Sequence, residues 1–311
     1  MRIFTIILFI FLTLSFCFSS EILDDSEING KTVNRVLLMG KDFNTGNIFS
    51  LTGSGSSGIL WSNSYINEIS LGNIDTVTTK YQFGLGTIGT SDFETVWDYS
   101  SSSDYYNWII TAETLYISSS ATTDVFGSTG AFTVEVKGLD SNYDMISERK
   151  ALNGRTTVET TYVYKRINDF YVIDVGSSGY NNGNIYLHKS SGMSSGTPTE
   201  TREVYAKIST LKGNIQSCLY TVPRGHKILI HGISYVVGQN AISFTVQLYA
   251  RKYNESWRVI SQDKVYSGNL QTDFRYPLMF PEKTDIAVRA RAGTSATISC
   301  YLYYTLHQEI E

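Results

Sequence analysis

Proline is scarce in this chain, at 4 of 311 residues, as are cysteine, at 3, and charge, at 17%. So little charge, beside 42% hydrophobic residues, excludes the solvated composition of a disordered chain and leaves enough apolar surface for a sizeable core. No basic run appears, and Lys plus Arg at 25 against 29 acidic residues disfavours a nucleic-acid partner. No heptad stretch survives the Gly and Ser spacing, which excludes a coiled coil. Beyond the first twenty residues no apolar run is long enough to span a bilayer. Local catalytic signatures are lacking as well: there is no Gly-x-Ser-x-Gly elbow and no His-Glu-x-x-His. The Gly-rich run Gly53 to Gly58 does not open a helical segment, so it makes no phosphate cradle, and no cofactor is implied. What the chain has in quantity is Tyr, at 22, with 15 Phe and 25 Gly, alongside much Ser and Thr. That composition suits an extracellular all-β protein better than a cytosolic helical enzyme.

Residues 1–19 read as a secretory signal peptide: Arg2 supplies the positive end, Ile3 to Phe16 is almost wholly apolar, and small residues follow. Residues 20–32 are acidic and polar and read as a linker. The localisation expected is the secretory pathway or beyond the cell. Cys17 leaves with the signal, so Cys218 and Cys300 form an even pair in an oxidising compartment. They are either a disulfide, if their strands are neighbours, or two buried thiols packing as small hydrophobes. Asn254-Glu255-Ser256 is an N-glycosylation sequon.

From Val33 onward short alternating runs are separated by Gly, Ser, Asn and Asp clusters, which is strand-and-turn spacing. In Phe132 to Lys137 the apolar residues share one face and Thr133, Glu135 and Lys137 the other. A boundary falls near Leu211 to Asn214, giving a β-rich domain over 33–211 and a second over 212–311. The second contains seven tight runs: Ser217 to Val222, Lys227 to Val237, Ile242 to Lys252, Trp257 to Tyr266, Leu270 to Phe280, Asp285 to Arg291 and Thr297 to Leu306. Their spacing predicts a jelly-roll-like β-sandwich. The fold class expected is all-β, with tandem antiparallel sandwiches. Asn153-Gly154 reads as a hairpin turn, and Pro223, Pro277 and Pro281 sit at or near run ends.

Few residues invite chemistry. Asp140 to Asp144 copies the start of a calcium loop, but Met145 and Ala151 stand where Gly and Glu belong, so it reads as a polar turn and no metal site is expected. His188, His226, His231 and His307 are scattered and read as surface or interface residues. Acidic residues recur in loops without any pair being selected as a glycosidase would need. Trp61, Trp97, Trp108 and Trp257 either pack in cores and contacts or stack on a sugar. Tyr105, Tyr106 and Trp108 follow the polar Ser100 to Asp104 cluster and form the best candidate for an exposed aromatic patch, with Trp257 a further ligand or interface aromatic. Arg289 and Arg291 share one strand face, in ion pairs or solvated.

Several strings together resemble a recurrent segment of virion-associated proteins of marine tailed bacteriophages, with related proteins among large aquatic DNA viruses. A GLD-x-N turn stands at Gly138 to Asn142, an E-x-x-x-LNG-x-T-x-V-x-T stretch at Glu148 to Thr160, RIN at Arg166 to Asn168 and G-S-x-G-x-N-x-G-x-I at Gly176 to Ile185. YTVPRGHKILI (Tyr220 to Ile230), FTVQLYARKYNESWRV (Phe244 to Val259) and FRYPLMFPEKTDIAVRA (Phe274 to Ala290) extend the similarity, which covers Tyr81 to Leu306. Arg224 replaces an Ala of the family turn, and His226 is extra. The resemblance implies a non-enzymatic virion structural or surface protein that makes capsid contacts or attaches to a host. It also implies an oligomer whose partners are itself, other virion proteins or a cell-surface glycan. One feature departs from it: a signal-like segment precedes the domains, whereas the phage relatives lack one. The alternative is a secreted carbohydrate-binding module stacking sugars on its Trp and Tyr, and a β-sandwich hydrolase stands behind both.

Overall fold

The structure is a computed structural model, and it describes residues 19–28, 31–41, 48–54, 59–62, 69–71, 74, 76–99, 106–189, 192–237, 243–266 and 268–309. The signal segment, Tyr105 and the Ser100 to Asp104 cluster lie outside the described residues. The chain divides into two compact units, residues 1–79 and 80–311. In the first, β1 (Ser19–Ile28), β2 (Lys31–Lys41), β3 (Ile48–Ser54) and β4 (Ile59–Ser62) form an antiparallel meander in sequence order. Residues 20–32, expected as a linker, thus run through β1 into β2.

The rest is almost entirely strand. β5 (Val77–Ile88) and β6 (Glu94–Thr95) are followed by β7 (Tyr116–Ser119), β8 (Ala131–Leu139), β9 (Met145–Ala151), β10 (Val158–Glu159), β11 (Arg166–Val175) and β12 (Ile185–His188). β13 (Met193–Ser194), β14 (Thr197–Pro198) and β15 (Val204–Ile208) complete the middle of the chain. One core lies between the sheet β10-β7-β12-β15 and the sheet β11-β8-β9, filled by Ile117, Val134, Val136, Phe170, Leu187 and Ile208 among others. Val134 and Val136 point inward from β8, as the alternation predicts.

The C-terminal strands are β16 (Leu219–Thr221), β17 (His226–Val237), β18 (Ser243–Arg251), β19 (Arg258–Tyr266), β20 (Gly268–Phe280), β21 (Asp285–Ala292) and β22 (Ala296–Gln308). All seven fall on the runs read from the sequence. They divide between the sheets β16-β21-β18-β19 and β20-β17-β22-β5. Consecutive strands cross from one sheet to the other except at the β18–β19 hairpin, which is the jelly-roll arrangement. β5, far upstream in the chain, supplies the eighth strand, and β6 adds a short ninth by pairing with β21. The core between the sheets holds Tyr235, Phe244, Val246, Leu248, Val288, Ile298 and Leu302. Each such side chain contributes about 1.5–3 kcal/mol by leaving water.

Three irregularities follow from local chemistry. β17 carries an extra residue between Ile230 and Gly232, so its inward set runs Ile228, Ile230, then Ile233, Tyr235 and Val237. Pro277 lies inside β20, near its C-terminal end. β20 is an edge strand, and its pairing with β17 is interrupted between Asp273 and Leu278, where a missing N–H costs little. Asn153 does open a tight turn, with Thr156 bridged to it and donating its N–H to the Asn153 carbonyl at 3.1 Å, but the turn does not pair β9 with β10, because β9 pairs with β8 and β10 with β7 in the opposite sheet. Gly154 still needs its positive φ of 56°, since its N–H bonds Asp124 and its carbonyl accepts from Ser119 as the chain changes sheets.

Candidate functional site

The two sandwiches of the second unit meet along a seam, and β21 explains why. Its Ile286, Val288, Ala290 and Ala292 enter the jelly-roll core, while Ala287 on the other face packs with Trp97, Tyr106 and Leu219. A strand buried on both faces must satisfy any polar residue it carries. Asp285, 2% exposed, opens β21 and meets that demand with four donors. Arg166, at the start of β11 in the other sandwich, donates from Nε at 2.7 Å and Nη2 at 2.9 Å. Thr221 Oγ donates at 2.7 Å, and Arg251, at the end of β18, adds Nη2. The Nη1 of Arg166 reaches the carbonyls of Ile109 and Lys165. Burial opposes the charge on Arg166, yet the hydrogen bonds of Asp285 hold its pKa above the ordinary value.

A second clamp lies two residues along β11. Asn168 donates Nδ2 to the Thr221 carbonyl at 2.8 Å and accepts the Thr221 N–H at 2.9 Å. Turns close the seam. Asp140 Oδ1 accepts the N–H groups of Asn142 and Asp144, which folds the β8–β9 turn and puts Tyr143 at a φ of 67°. Tyr143 then offers its carbonyl to the Arg224 N–H at 2.9 Å, and Arg224 pairs with Asp144 at 2.9 Å. Glu282 accepts the Gly225 N–H at 2.7 Å. Strings separated along the chain, GLD-x-N, RIN, TVPRG, LYAR and PEK-x-D, thus converge on one place.

A chain of rings runs beside the clamp. Trp97 meets Tyr106 edge-on at 5.2 Å, Tyr106 meets Trp108 at 5.0 Å, Trp108 meets Trp257 at 5.4 Å, and Trp257 stacks on Tyr249 at 5.1 Å. Arg166 lies over Trp108 and Tyr143, and Arg251 over Trp257 at 4.7 Å. Trp108 and Trp257, chosen separately from the sequence, are brought together. Tyr106 is not part of an exposed patch: it is 6% exposed, and its hydroxyl donates to the Tyr205 carbonyl at 3.0 Å. Burial pushes its pKa far up. Its polar sequence neighbours concealed a residue that packs into the seam.

Between the turns lies a cleft of about 350 Å³. Its floor includes Trp108, Tyr143, Arg166 and Asp285, and its rim Ile110, Arg251, Lys252, Tyr253, Asn254 and Lys283. Tyr253 is 53% exposed and meets Tyr143 edge-on at 5.7 Å. Asn254 is exposed, with a φ of 60° in the β18–β19 turn. Lys165 Nζ bonds the Ile110 carbonyl, and burial, followed by Arg166, lowers its pKa. Among the described residues only Glu255 and Asp285 supply carboxylates to the lining, and Asp285 accepts from four donors. Chemically the cleft offers cations, ring faces and amides. Sequence reasoning singled out none of Tyr143, Arg166, Arg251, Tyr253, Lys283 or Asp285 as site residues, although each lies inside or beside a string that carries the resemblance.

The other sequence-chosen residues lie elsewhere. Cys218 and Cys300 are buried free thiols, and Cys218 Sγ approaches the Cys300 carbonyl at 3.3 Å. Burial pushes the Cys300 thiol up. His188 is wholly buried beside Ser118 at 3.2 Å, not at the surface as expected, because β12 lies inside its sheet. His231 and His307 share Thr305 Oγ at 2.9 and 2.8 Å. Arg289 and Arg291 both lie over the Phe93 ring, at 5.9 and 5.2 Å. No three His, Cys, Asp or Glu side chains among the described residues are grouped to hold a metal.

No family model matches the chain, and no curated protein matches it. Among solved structures it is similar to proteins of the infectious bursal disease virus. For the crystal structure of the T13 viral particle the identity is 10% and the TM-score 0.22, over 76% of this chain and 71% of that one. For T=1 particles derived from the virus the values are 11% and 0.22, over 75% and 70%. For the VP2 subviral particle they are 11% and 0.20, over 76% and 73%. TM-scores this low leave the fold class resting on the strand order itself, an all-β chain whose C-terminal part is a jelly roll.

Proposed function

We propose that this chain is a non-enzymatic virion structural or surface protein, oligomeric, which makes capsid contacts or attaches the particle to a host. Its N-terminal segment directs it into the secretory pathway. The observation that carries this reading is the seam. The strings that resemble virion proteins serve there to weld two sandwiches into one block through Arg166, Asn168, Thr221 and Asp285. A building block that must keep its shape under assembly needs such a clamp more than it needs a reactive centre. The outer face of the sheet β20-β17-β22-β5 supports the same reading. Tyr301 and Tyr303 stack at 6.3 Å there, Phe83 meets Tyr301 at 4.7 Å, and Tyr81 is 68% exposed. Aromatic residues at this density suit a protein contact.

The test is quantitative mass spectrometry across a density gradient of particles from the producing cells. Co-sedimentation with a major capsid protein at fixed stoichiometry is the expected result, and a chain confined to the soluble fraction refutes it. A second reading, a secreted carbohydrate-binding module, is favoured by one observation, the ring-lined cleft at the seam.

A further inference from the structure

We propose that the seam cleft binds an acidic saccharide, a sugar ring carrying a carboxylate, with Arg251 as the anion anchor and Tyr253 as the ring contact. This deepens the attachment arm of the function proposed above but does not depend on the particle, since purified chain suffices to test it.

Charge is the first argument. Lys165, Arg166, Arg251, Lys252 and Lys283 line the cleft against Glu255 and Asp285, and Glu282 pairs with Lys283 at 3.4 Å, which leaves a local excess of two positive charges. The whole chain carries −4. Cations gathered in one concavity of an acidic protein attract an anion. The lowered pKa of Lys165, which arises from burial and then from Arg166, is consistent with that crowding.

Arg251 supplies the second argument. One side of its guanidinium is held by Asp285 and one face by the Trp257 ring. Among the described residues only one of its five N–H groups has a hydrogen-bond partner, and its side chain is 29% exposed at the cleft. A guanidinium fixed on two sides with free N–H groups is preorganised for a two-pronged grip on a carboxylate. Arg166, by contrast, spends its hydrogen bonds on Asp285 and two carbonyls and serves as floor.

The remaining lining decides between a bare anion and a sugar. A site for a small inorganic ion needs no rings, yet Trp108, Tyr143 and Tyr253 all line this one. The Tyr143 hydroxyl has no hydrogen-bond partner among the described residues, and Asn254 stands exposed at the rim, so both are available to sugar hydroxyls. The volume lies at the small end of the 300–1,000 Å³ range typical of ligand sites, suiting one or two sugar rings.

The experiment is calorimetric titration of the full chain, produced without N-glycan, with the methyl glycosides of N-acetylneuraminic acid and glucuronic acid. The methyl ester of the same sialoside and sodium acetate serve as comparisons. Saturable binding of at least one acid is expected, with the ester at least tenfold weaker. Arg251→Gln should weaken binding at least tenfold. Because that change disturbs Asp285, Tyr253→Ala and Lys252→Glu, at exposed positions, are tested beside it. They should weaken binding while the Tm stays within about 4 °C of the parent, the loss of one aromatic pair. The proposal is overturned if neither acid saturates, if the ester binds as tightly as the acid, or if acetate competes equally at equal concentration. It is also overturned if the two exposed variants bind like the parent. None of these outcomes bears on the density gradient, so the two readings fail separately.

Discussion

Replacing Asp285 by Ala should be among the most damaging single changes in this chain. The side chain is 3% exposed, and four hydrogen bonds converge on it. Without it, Arg166, itself only 6% exposed in its side chain, keeps two carbonyl acceptors but loses its counter-charge. Removing one partner of a buried ion pair costs about 3–5 kcal/mol, because the other charge stays behind without compensation. Arg166→Met should cost less, about 1.5–3 kcal/mol, since Asp285 keeps Arg251 and Thr221. Arg251→Met should cost least, about 1 kcal/mol or under, because at 29% exposure water replaces part of what is lost. The decisive measurement is the double variant Arg166→Met/Asp285→Ala, in which no deeply buried charge is stranded and only the partly exposed Arg251 loses its partner. It should be more stable than the sum of the single losses requires, by about 2 kcal/mol. Equilibrium urea unfolding read by tryptophan fluorescence suits the purpose, because Trp108 lies on the Arg166 guanidinium. The m-values must match across the set for the comparison to hold. An Asp285→Ala variant within about 0.5 kcal/mol of the parent, or strict additivity in the double variant, would refute the view that the seam is held by this carboxylate.

Cys218 and Cys300 should resist alkylation in the native chain and react fully in denaturant without reductant, as peptide mapping would read; a Cys218–Cys300 disulfide peptide would contradict the structure. His231 and His307 have pKa values lowered below 6.5, both chiefly by burial, with Lys227 and His231 adding to the shift at His307. Above that value neither state takes the proton, but below it the unfolded chain does and the folded chain resists. Stability should therefore fall as pH drops below about 6.5 and level off once the folded pKa is passed. A His231→Asn/His307→Asn chain should show a flatter Tm against pH between 7.5 and 5, and an unchanged slope would count against the assignment. Gly138→Ala should cost about 1–3 kcal/mol or more, since the new Cβ would lie 2.2 Å from the Arg166 carbonyl oxygen, a backbone atom that cannot swing away. Unchanged urea unfolding of that variant would show that β8 and β11 can separate there at no cost.

The jelly-roll strands were legible in the sequence because each buries one face and announces it every second residue. Lys227 to Val237 was read almost as β17 is built, even though the bulge at Ile230 shifts its inward set halfway along. β5 was not legible. In its sequence, VTTKYQFGLGTI, Gly84 and Gly86 interrupt the alternation of apolar and polar residues. In the fold they are the points where other backbone comes close: a Cβ on Gly84 would lie 2.7 Å from the Val96 carbonyl oxygen, and one on Gly86 3.1 Å from that of Trp97. A glycine that marks a neighbour's approach looks, in one dimension, like a glycine that marks a bend. The aromatic site was half legible for a related reason. Trp108 and Trp257 were picked for their chemistry, but no local pattern could say that they touch.

The seam itself is the least local feature of the chain, and its composition explains why recognisable strings were the only trace of it. Arg166 and Asp285 stand 119 residues apart, and Asn168 and Thr221 stand 53 apart. Periodicity carries no information across such distances. Apolar core residues can be exchanged for one another at modest cost if volume is kept, so a core leaves only a pattern. A buried carboxylate cannot be treated that way: Asp285 needs a guanidinium fork from one side and a hydroxyl from another, each at a fixed place on its own strand. Asn168 likewise needs the backbone of Thr221 in register, because it both donates and accepts there. Requirements of that kind fix residue identity rather than residue class, and identity is what makes a string recognisable. The same requirement hands the cleft its anchor. Arg251 is positioned by the clamp, yet it completes Asp285 with a single N–H while its side chain lines the cleft. A joint built for rigidity therefore supplies, without a further element of structure, the preorganised cation that a binding site requires.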